Sequence, residues 1–486
     1  HPLKILSIFH VSGWHADCPQ IIAIMDSFAL SVDIDLLSRF DKPGPRYTSY
    51  PTAPMFSPAY TDKQFEIDLI RNNDGNASLV SLYVHLPFCD TLCYFCGCTT
   101  VITSKRDHVS SYLSMLKKEI ARTSSSINRE RPVAQIHWGG GTPSYLTPGE
   151  IEDLASFIRE CFRIAPDAEF SVEIDPRGLT YDHMQAFRQG GANRISLGVQ
   201  DFSERVQKAV HRVQPDQLTL QAIQWAKDLG MGSINVDLIY GLPLQTLESF
   251  QETLDKVVKI SPDRIAVFNF AYVPGIKPHQ KLIHPEDLPS SDVKLQILKT
   301  TIEILTTSGY RYIGMDHFAK PGDVLAVAQA DKTLHRNFQG YSTQAGADLF
   351  GFGMSAISHF GEVYAQNAKT LREYFERLNS GRFATHVGYR MNRDDEIRKS
   401  VIMQIMCNLE VIKEKVEEHF GILFDEYFQG ALEQLEEFRR LGLVQHTAEK
   451  ISIIGAGRLL LRNIAICFDA YLPKLQTAQP IFSRTV

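Results

Sequence analysis

Residues 81–98, SLYVHLPFCDTLCYFCGC, place an apolar strand at 81–88 directly ahead of a loop holding four cysteines, Cys89, Cys93, Cys96 and Cys98. Alternation along the strand puts Tyr83, His85 and Pro87 on one face. Further short apolar segments follow at 135–139, 169–175, 194–200, 234–240 and 264–270, with another near 311–316. Helix starts lie between them. Thr147-Pro148-Gly149-Glu150 has the form of a capping box with Pro at the first helical position, and Ile151, Leu154, Ile158 and Phe162 then mark one face. Thr180 and Thr246 are placed as further N-caps. Strands alternating with amphipathic helices over 80–365 predict an α/β fold on parallel strands, either a (β/α)6-type partial barrel or an open doubly wound sheet. Both arrangements put the active site at the carboxyl ends of the strands, where the cysteines fall.

Working outward, 25–79 is read as an N-terminal wrapping segment, and 1–24 as an extension without function. After about 365 the strands are expected to fade. Leu371, Tyr374, Phe375 and Leu378 follow helical spacing, and further helices are expected at 395–409, 411–420 and 425–441. A strand at 450–454, a turn at Gly455-Ala456-Gly457 and a last helix to about 471 complete a mainly helical, winged-helix-like domain over 366–486. Its 425–441 segment carries Asp425, Glu426, Glu433, Glu436 and Glu437 against Arg439 and Arg440, the wrong sign for a DNA-reading helix. A structural, substrate-covering or partner-docking role is expected instead.

Composition narrows the class. With 486 residues, 44% hydrophobic and 22% charged, the chain is globular and long enough for two or three domains. Lys+Arg 50 against Asp+Glu 56 gives a net charge of −6, which excludes general binding to nucleic acid. No apolar run approaches the ~18 residues of a membrane span. Four clustered cysteines, with Cys18, Cys161, Cys407 and Cys467 scattered, point to a metal or cluster in a reducing compartment, the cytoplasm, rather than a disulfide framework.

Cys89-x3-Cys93-x2-Cys96 supplies three thiolates that can bind three irons of a [4Fe–4S] cluster and leave the fourth iron open. Structural zinc, completed by Cys98, is the alternative. A position at the functional mouth of the fold favours the cluster, and Tyr94 and Phe95 would shield it from water.

YVHLPFCDTLCYFCGC, HWGGGTPSYL, VEIDPRGL, LGVQDF, NVDLIYGLP, HRNFQGYSTQ and GMSAIS together resemble the oxygen-independent coproporphyrinogen III oxidases of the radical S-adenosylmethionine (SAM) superfamily. The likeness runs from about Pro43 to the C-terminus. Cys-Gly-Cys at 96–98 and HRNFQGYSTQ make it specific to that family, whereas the cysteine triad alone would indicate only the superfamily. The resemblance implies a cluster on Cys89, Cys93 and Cys96 that passes an electron to SAM. The 5′-deoxyadenosyl radical so formed takes hydrogen from a propionate, which loses CO2 to leave a vinyl group. Two propionates of coproporphyrinogen III react, giving protoporphyrinogen IX in haem synthesis.

The same resemblance implies site residues. Tyr83 and His85 would lie beside the cluster in catalytic positions, with Tyr83 against SAM. Gly140, Gly141 and Thr142 would cradle its methionine part and Glu173 its polar groups. Gln200, Arg212 and Asp237 match positions for a second SAM molecule, and Ala271 and Ile357 match apolar adenine-pocket positions. Read from sequence alone, Arg212 is a solvated helix residue, and Glu173, Asp175 and Asp237 are interior carboxylates needing partners. A substrate with four propionates calls for local cations, with Arg46, Arg336 and Lys320 as candidates. The partners implied are coproporphyrinogen III and an electron donor such as flavodoxin or ferredoxin, acting on a monomer. A related haem-binding or haem-delivering paralogue is the rival reading. Such paralogues usually carry an aromatic at position 98 and lack HRNFQGYSTQ.

Overall fold

The computed structural model describes residue 30, residues 32–474 and residues 482–485. The segment 1–24 read as an extension lies outside the described residues. Six strands, β1 (Val80–Leu86), β2 (Val133–Gly140), β3 (Ile164–Ile174), β4 (Arg194–Gln200), β5 (Ser233–Tyr240) and β6 (Arg264–Asn269), pair in chain order, every pair parallel. Helices Arg106–Ser124, Pro148–Cys161, Tyr181–Gln189, Asp216–Asp228 and Leu247–Ile260 make the crossovers. Each parallel step needs such a connection, because the chain must return to the same end of the sheet. Thr147, Thr180 and Thr246 form reciprocal capping boxes with the residue three further on, so the helices begin where the sequence places them.

The hydrogen-bonded sheet is larger than six strands. Beyond β6 it adds β7 (Arg311–Gly314) and β8 (His317–Ala319), with β8 antiparallel to both β6 and β7. Beyond β1 it adds β9 (Asp348–Phe352), parallel to β1, followed by antiparallel β10 (Ile357–Phe360), β11 (Val363–Asn367) and β12 (Thr385–Arg390). The order is β12-β11-β10-β9-β1-β2-β3-β4-β5-β6-β8-β7. Strands therefore continue past the expected change near 365, and β12 completes the sheet after helix Leu371–Asn379. Both faces of β1 are buried, as a central parallel strand requires. Glu119 of the first crossover helix accepts hydrogen bonds from the Gly353 N–H at 2.7 Å, Asn367 at 2.7 Å and Tyr374 at 2.6 Å, pinning that helix to the added strands.

The C-terminal region packs helices Arg393–Asn408, Lys413–Phe420, Gln429–Arg440 and Leu461–Ile466 around a three-stranded antiparallel sheet, Glu410–Ile412, Lys450–Ile453 and Val444–His446. The single helix expected over 425–441 is two pieces. Phe428 leaves helical geometry between Phe424–Tyr427 and Gln429–Arg440, and its buried ring packs on Phe424 and Phe468. The expected turn at Gly455 is a 3-10 helix, Gly455–Leu460. Acids of this region are taken up internally: Glu437 pairs with Arg39, Glu436 with Arg439 and Arg440, and Asp425 with Lys413. The N-terminal segment is tied to both parts. The Tyr47 hydroxyl donates to Asp469 at 2.9 Å, and Ser57 bridges Gly388 of β12. Among the described residues no helix is long and apolar enough to cross a membrane.

Candidate active site

The cysteine loop leaves β1 and runs over the carboxyl ends of the parallel strands. Cys89, Cys93 and Cys96 line one cavity of about 600 Å³. Gly140 at the end of β2, Gly141 and Thr142 just after it, Glu173 on β3, Gln200 on β4, Asp237 on β5 and Ala271 after β6 line the same space, as does Arg212. Nearly every residue named from sequence thus converges on the end of the sheet where a parallel fold places ligands.

Cys89 Sγ lies 3.3 Å from the Thr142 hydroxyl, which links the loop to the glycine turn. Cys93 Sγ accepts from Arg177 at 3.4 Å and Arg212 at 3.7 Å. Burial pushes the Cys89 thiol up to about 12, with the Thr142 hydrogen bond opposing. A hydrogen bond from Cys98 pulls Cys96 below the usual thiol range and raises Cys98 itself. Among the described residues no three His, Cys, Asp or Glu side chains converge on a point that could hold a single metal ion. Soft thiols on one wall, two guanidinium groups donating to a sulfur, and room beside them fit a cluster with a further ligand.

Arg212 is the largest departure from expectation. It is 7% exposed and lies on the loop after helix Glu204–Ala209. It donates to Asp175 at 2.8 Å and to the Gly198 carbonyl at 2.6 Å, and its Nε is buried without a partner. Arg177, unremarked in the sequence, binds the same carboxylate at 2.7 Å. Burial alone would raise the Asp175 carboxyl, but these two arginines outweigh it and hold it below the usual range. Asp237 faces the opposite balance. Burial and the nearby Glu173 charge push it up to about 6, against hydrogen bonds from Ser196 at 2.8 Å and Asn235 at 2.7 Å.

Glu173 joins this cavity to a second one of about 450 Å³, which Tyr83, His85 and Ile357 line. Gly97, Cys98 and Gly140 also belong to both. Ile357 therefore stands on a different cavity from Ala271. Glu173 accepts from His137 at 3.1 Å and from the Gly140 N–H at 3.0 Å. Burial opposes its ionisation, and these partners overcome it, so the carboxyl stays below its ordinary range. His137 was not singled out in the sequence, although it stacks on Tyr83 at 5.8 Å. His85 Nε2 lies 2.9 Å from the Thr99 carbonyl, which can only accept, so Nε2 carries the proton. Its Nδ1 then accepts from the Tyr83 hydroxyl at 3.0 Å, and burial keeps the ring neutral.

The glycine turn is also closely packed against its protein neighbours. A Cβ on Gly139 would sit 2.5 Å from the Glu173 carboxylate, one on Gly140 2.3 Å from His85, and one on Gly141 2.5 Å from the Pro87 backbone. Gly140 also has φ +110°. The turn thus lets three strands close on one another and aims a backbone N–H at Glu173. Gly141→Ala meets backbone, which cannot swing aside as a side chain can. It is expected to lower the melting temperature and abolish cluster incorporation, read by thermal shift and iron content; wild-type values for both would show that the loop tolerates the Cβ.

Of the proposed cations, Arg46 lines the cysteine cavity and pairs with Asp316. Arg336 is buried behind it and donates to the Arg46 carbonyl at 3.3 Å. Lys320 is half-exposed and occupied by the Ser261 carbonyl and Asp263, away from either cavity.

The Radical SAM superfamily model matches residues 83–257, and the HemN C-terminal domain model matches 391–460. The chain is 44% identical over 456 residues to the oxygen-independent coproporphyrinogen III oxidase of Synechocystis, covering 93% of this chain and 97% of that one. It is 45% identical over 454 residues to the Salmonella typhimurium protein of the same name, covering 93% and 98%. The solved structure described as coproporphyrinogen III oxidase (HemN) from Escherichia coli, a radical SAM enzyme, superposes with a TM-score of 0.87 at 43% identity, over 91% of this chain and 100% of that one. With the cysteine loop, the parallel sheet and the C-terminal module all accounted for along nearly the full length, this chain belongs to the oxygen-independent coproporphyrinogen III oxidase family of the radical SAM superfamily.

Proposed function

We propose that the protein converts two propionates of coproporphyrinogen III to vinyl groups without oxygen, yielding protoporphyrinogen IX for haem synthesis. The observation that carries this reading is the gathering of Cys89, Cys93 and Cys96 on a cavity walled by Glu173, Arg212 and Asp237, in a chain of this family. A [4Fe–4S] cluster with SAM would supply hydrogen-abstracting radical chemistry, which no side chain provides.

The protein's own residues bind, orient and exclude water. Cys89, Cys93 and Cys96 hold the cluster, and Arg177 and Arg212 offset its negative charge at Cys93. Glu173, kept ionised by His137 and the Gly140 N–H, receives the polar groups of SAM, with Gly140, Gly141 and Thr142 shaping the approach. Tyr83 and His85 are positioning residues, since both ring nitrogens of His85 are taken by protein partners. A second SAM molecule would be received by Gln200, Arg212 and Asp237, which line the cysteine cavity, and of the two adenine-pocket positions Ala271 lines that cavity and Ile357 the adjoining one. Free, clustered thiols suit a reducing cytoplasm, and a low-potential donor such as flavodoxin or ferredoxin would supply electrons. No observation favours the haem-delivery alternative.

The reading is tested by electron paramagnetic resonance of the reconstituted, reduced protein. Addition of SAM is expected to shift a four-iron signal, because an open iron takes the new ligand. A four-iron signal indifferent to SAM, or a protein that holds only zinc, would overturn it.

A further inference from the structure

Beside the cysteine cavity lies a much smaller space with differently charged walls. It measures about 40 Å³. At the ~10–15 Å³ that a water-sized group needs, it has room for about three such groups, the heavy-atom count of a carboxylate. Arg46, Arg458 and Arg462 line it together with Tyr240, Asn269 and Asp316. Arg46 and Asn269 also line the cysteine cavity, so the two spaces share a wall.

The charges of this small space do not balance. Arg46 pairs with Asp316, and Arg484 at its far side pairs with Asp41. Among the described residues, neither Arg458 nor Arg462 forms an ion pair. Both are held instead by main-chain carbonyls. Arg458 donates to Tyr312, and Arg462 to Gly44, to Pro45 at 2.9 Å, to the carbonyl of Arg484 at 2.6 Å and to the carbonyl and hydroxyl of Ser483, each at 3.1 Å. Carbonyls orient a guanidinium without cancelling its charge. Arg458 Nε is buried with no partner, and so is Nη1 of the neighbouring Arg336, which is 3% exposed. Burial, then Arg336 and Arg462, pull Arg46 down to about 9, and burial, then Arg336, pull Arg462 down to about 10 against the opposing charge of Asp41. Buried, uncompensated cations are costly, and an arriving anion removes the cost.

We propose that this space is a carboxylate subsite that anchors one propionate of the tetrapyrrole while another reacts in the cysteine cavity. Arg458 and Arg462 are its cations, and Arg46 stands in the shared wall. The inference rests on the proposed substrate and deepens it. An acyclic carboxylate such as acetate has the same headgroup chemistry, so the test separates the two sources.

Coproporphyrin III, the oxidised and fluorescent analogue that does not react, and its tetramethyl ester are titrated into anaerobic holoprotein. Wild type, Arg458→Gln and Arg458→Lys are compared. Loss of a charge-assisted contact is expected to weaken coproporphyrin binding by about tenfold or more in R458Q, with partial rescue in R458K. The ester is expected to bind wild type about tenfold more weakly than the acid, and R458Q is expected not to weaken it further, as a cycle with one shared contact requires. Equal binding of the acid by wild type and R458Q would overturn the subsite and leave the proposed reaction standing. Equal weakening of acid and ester would mean that R458Q only loosens the fold, and would also overturn it. Acetate stabilising wild type but not R458Q against heat, with porphyrin affinity unchanged between them, would assign the site to a free anion and overturn the propionate assignment. If wild type cleaves SAM yet binds no coproporphyrin, the substrate reading falls and the subsite with it.

Discussion

Cys93→Ser is expected to yield a folded protein without a cluster, colourless after reconstitution, with SAM cleavage and porphyrinogen oxidation reduced at least about a thousandfold, because no other group in the chain can supply the radical chemistry. The site makes Cys93 the informative choice among the three ligands. It is buried, and both Arg177 and Arg212 donate to its sulfur, so the same replacement removes an iron ligand and the focus of two cations. Cys98→Ser is the matched control. Cys98 lies on the rim shared by both cavities and is expected to leave four irons in place. Iron and sulfide content with visible absorbance reads both variants. A full cluster in C93S, or its loss in C98S, would exchange the roles of the two cysteines.

The second large effect is expected at Glu173. Glu173→Gln keeps the shape and removes the charge that His137 and the Gly140 N–H stabilise. Charge-assisted hydrogen bonds contribute about 1.5–3 kcal/mol, and each ~1.4 kcal/mol is tenfold in affinity, so SAM binding should weaken by about 10- to 100-fold. The cluster should remain, since Glu173 accepts hydrogen bonds from His137 and Gly140 rather than from the cluster cysteines. Equilibrium dialysis of SAM against reconstituted wild type and E173Q checks this. Unchanged affinity would remove Glu173 from the SAM site.

The parallel half of the fold was legible because its signals are local. The strand at 194–200 falls where alternation put it, and the capping boxes at Thr147, Thr180 and Thr246 start helices by contacts three residues apart. The strands added beyond β1 were not legible. Each is four to six residues long, two carry glycine, and β9 finds its partner in β1 across most of the chain. Arg212 shows the same limit for the site. It sits in a short loop and looks solvated in sequence, yet Asp175, just after the end of β3, draws it inside. His137 and Arg177 lay within the quoted motifs, and their positions on the strand and turn beside Glu173 and Asp175 were the available signal. Arg458 and Arg462 gave none, because what makes them unusual is a shortage of carboxylates around them in space.

Conversion of coproporphyrinogen III at this site is tested most directly by a single anaerobic turnover experiment with reconstituted protein, reductant, SAM and coproporphyrinogen III, in which porphyrinogen product and 5′-deoxyadenosine are counted together. Protoporphyrinogen IX should appear, with one deoxyadenosine released for each vinyl group formed. Deoxyadenosine without vinyl product, or neither from protein carrying an intact cluster, would contradict the assignment of this substrate to this site.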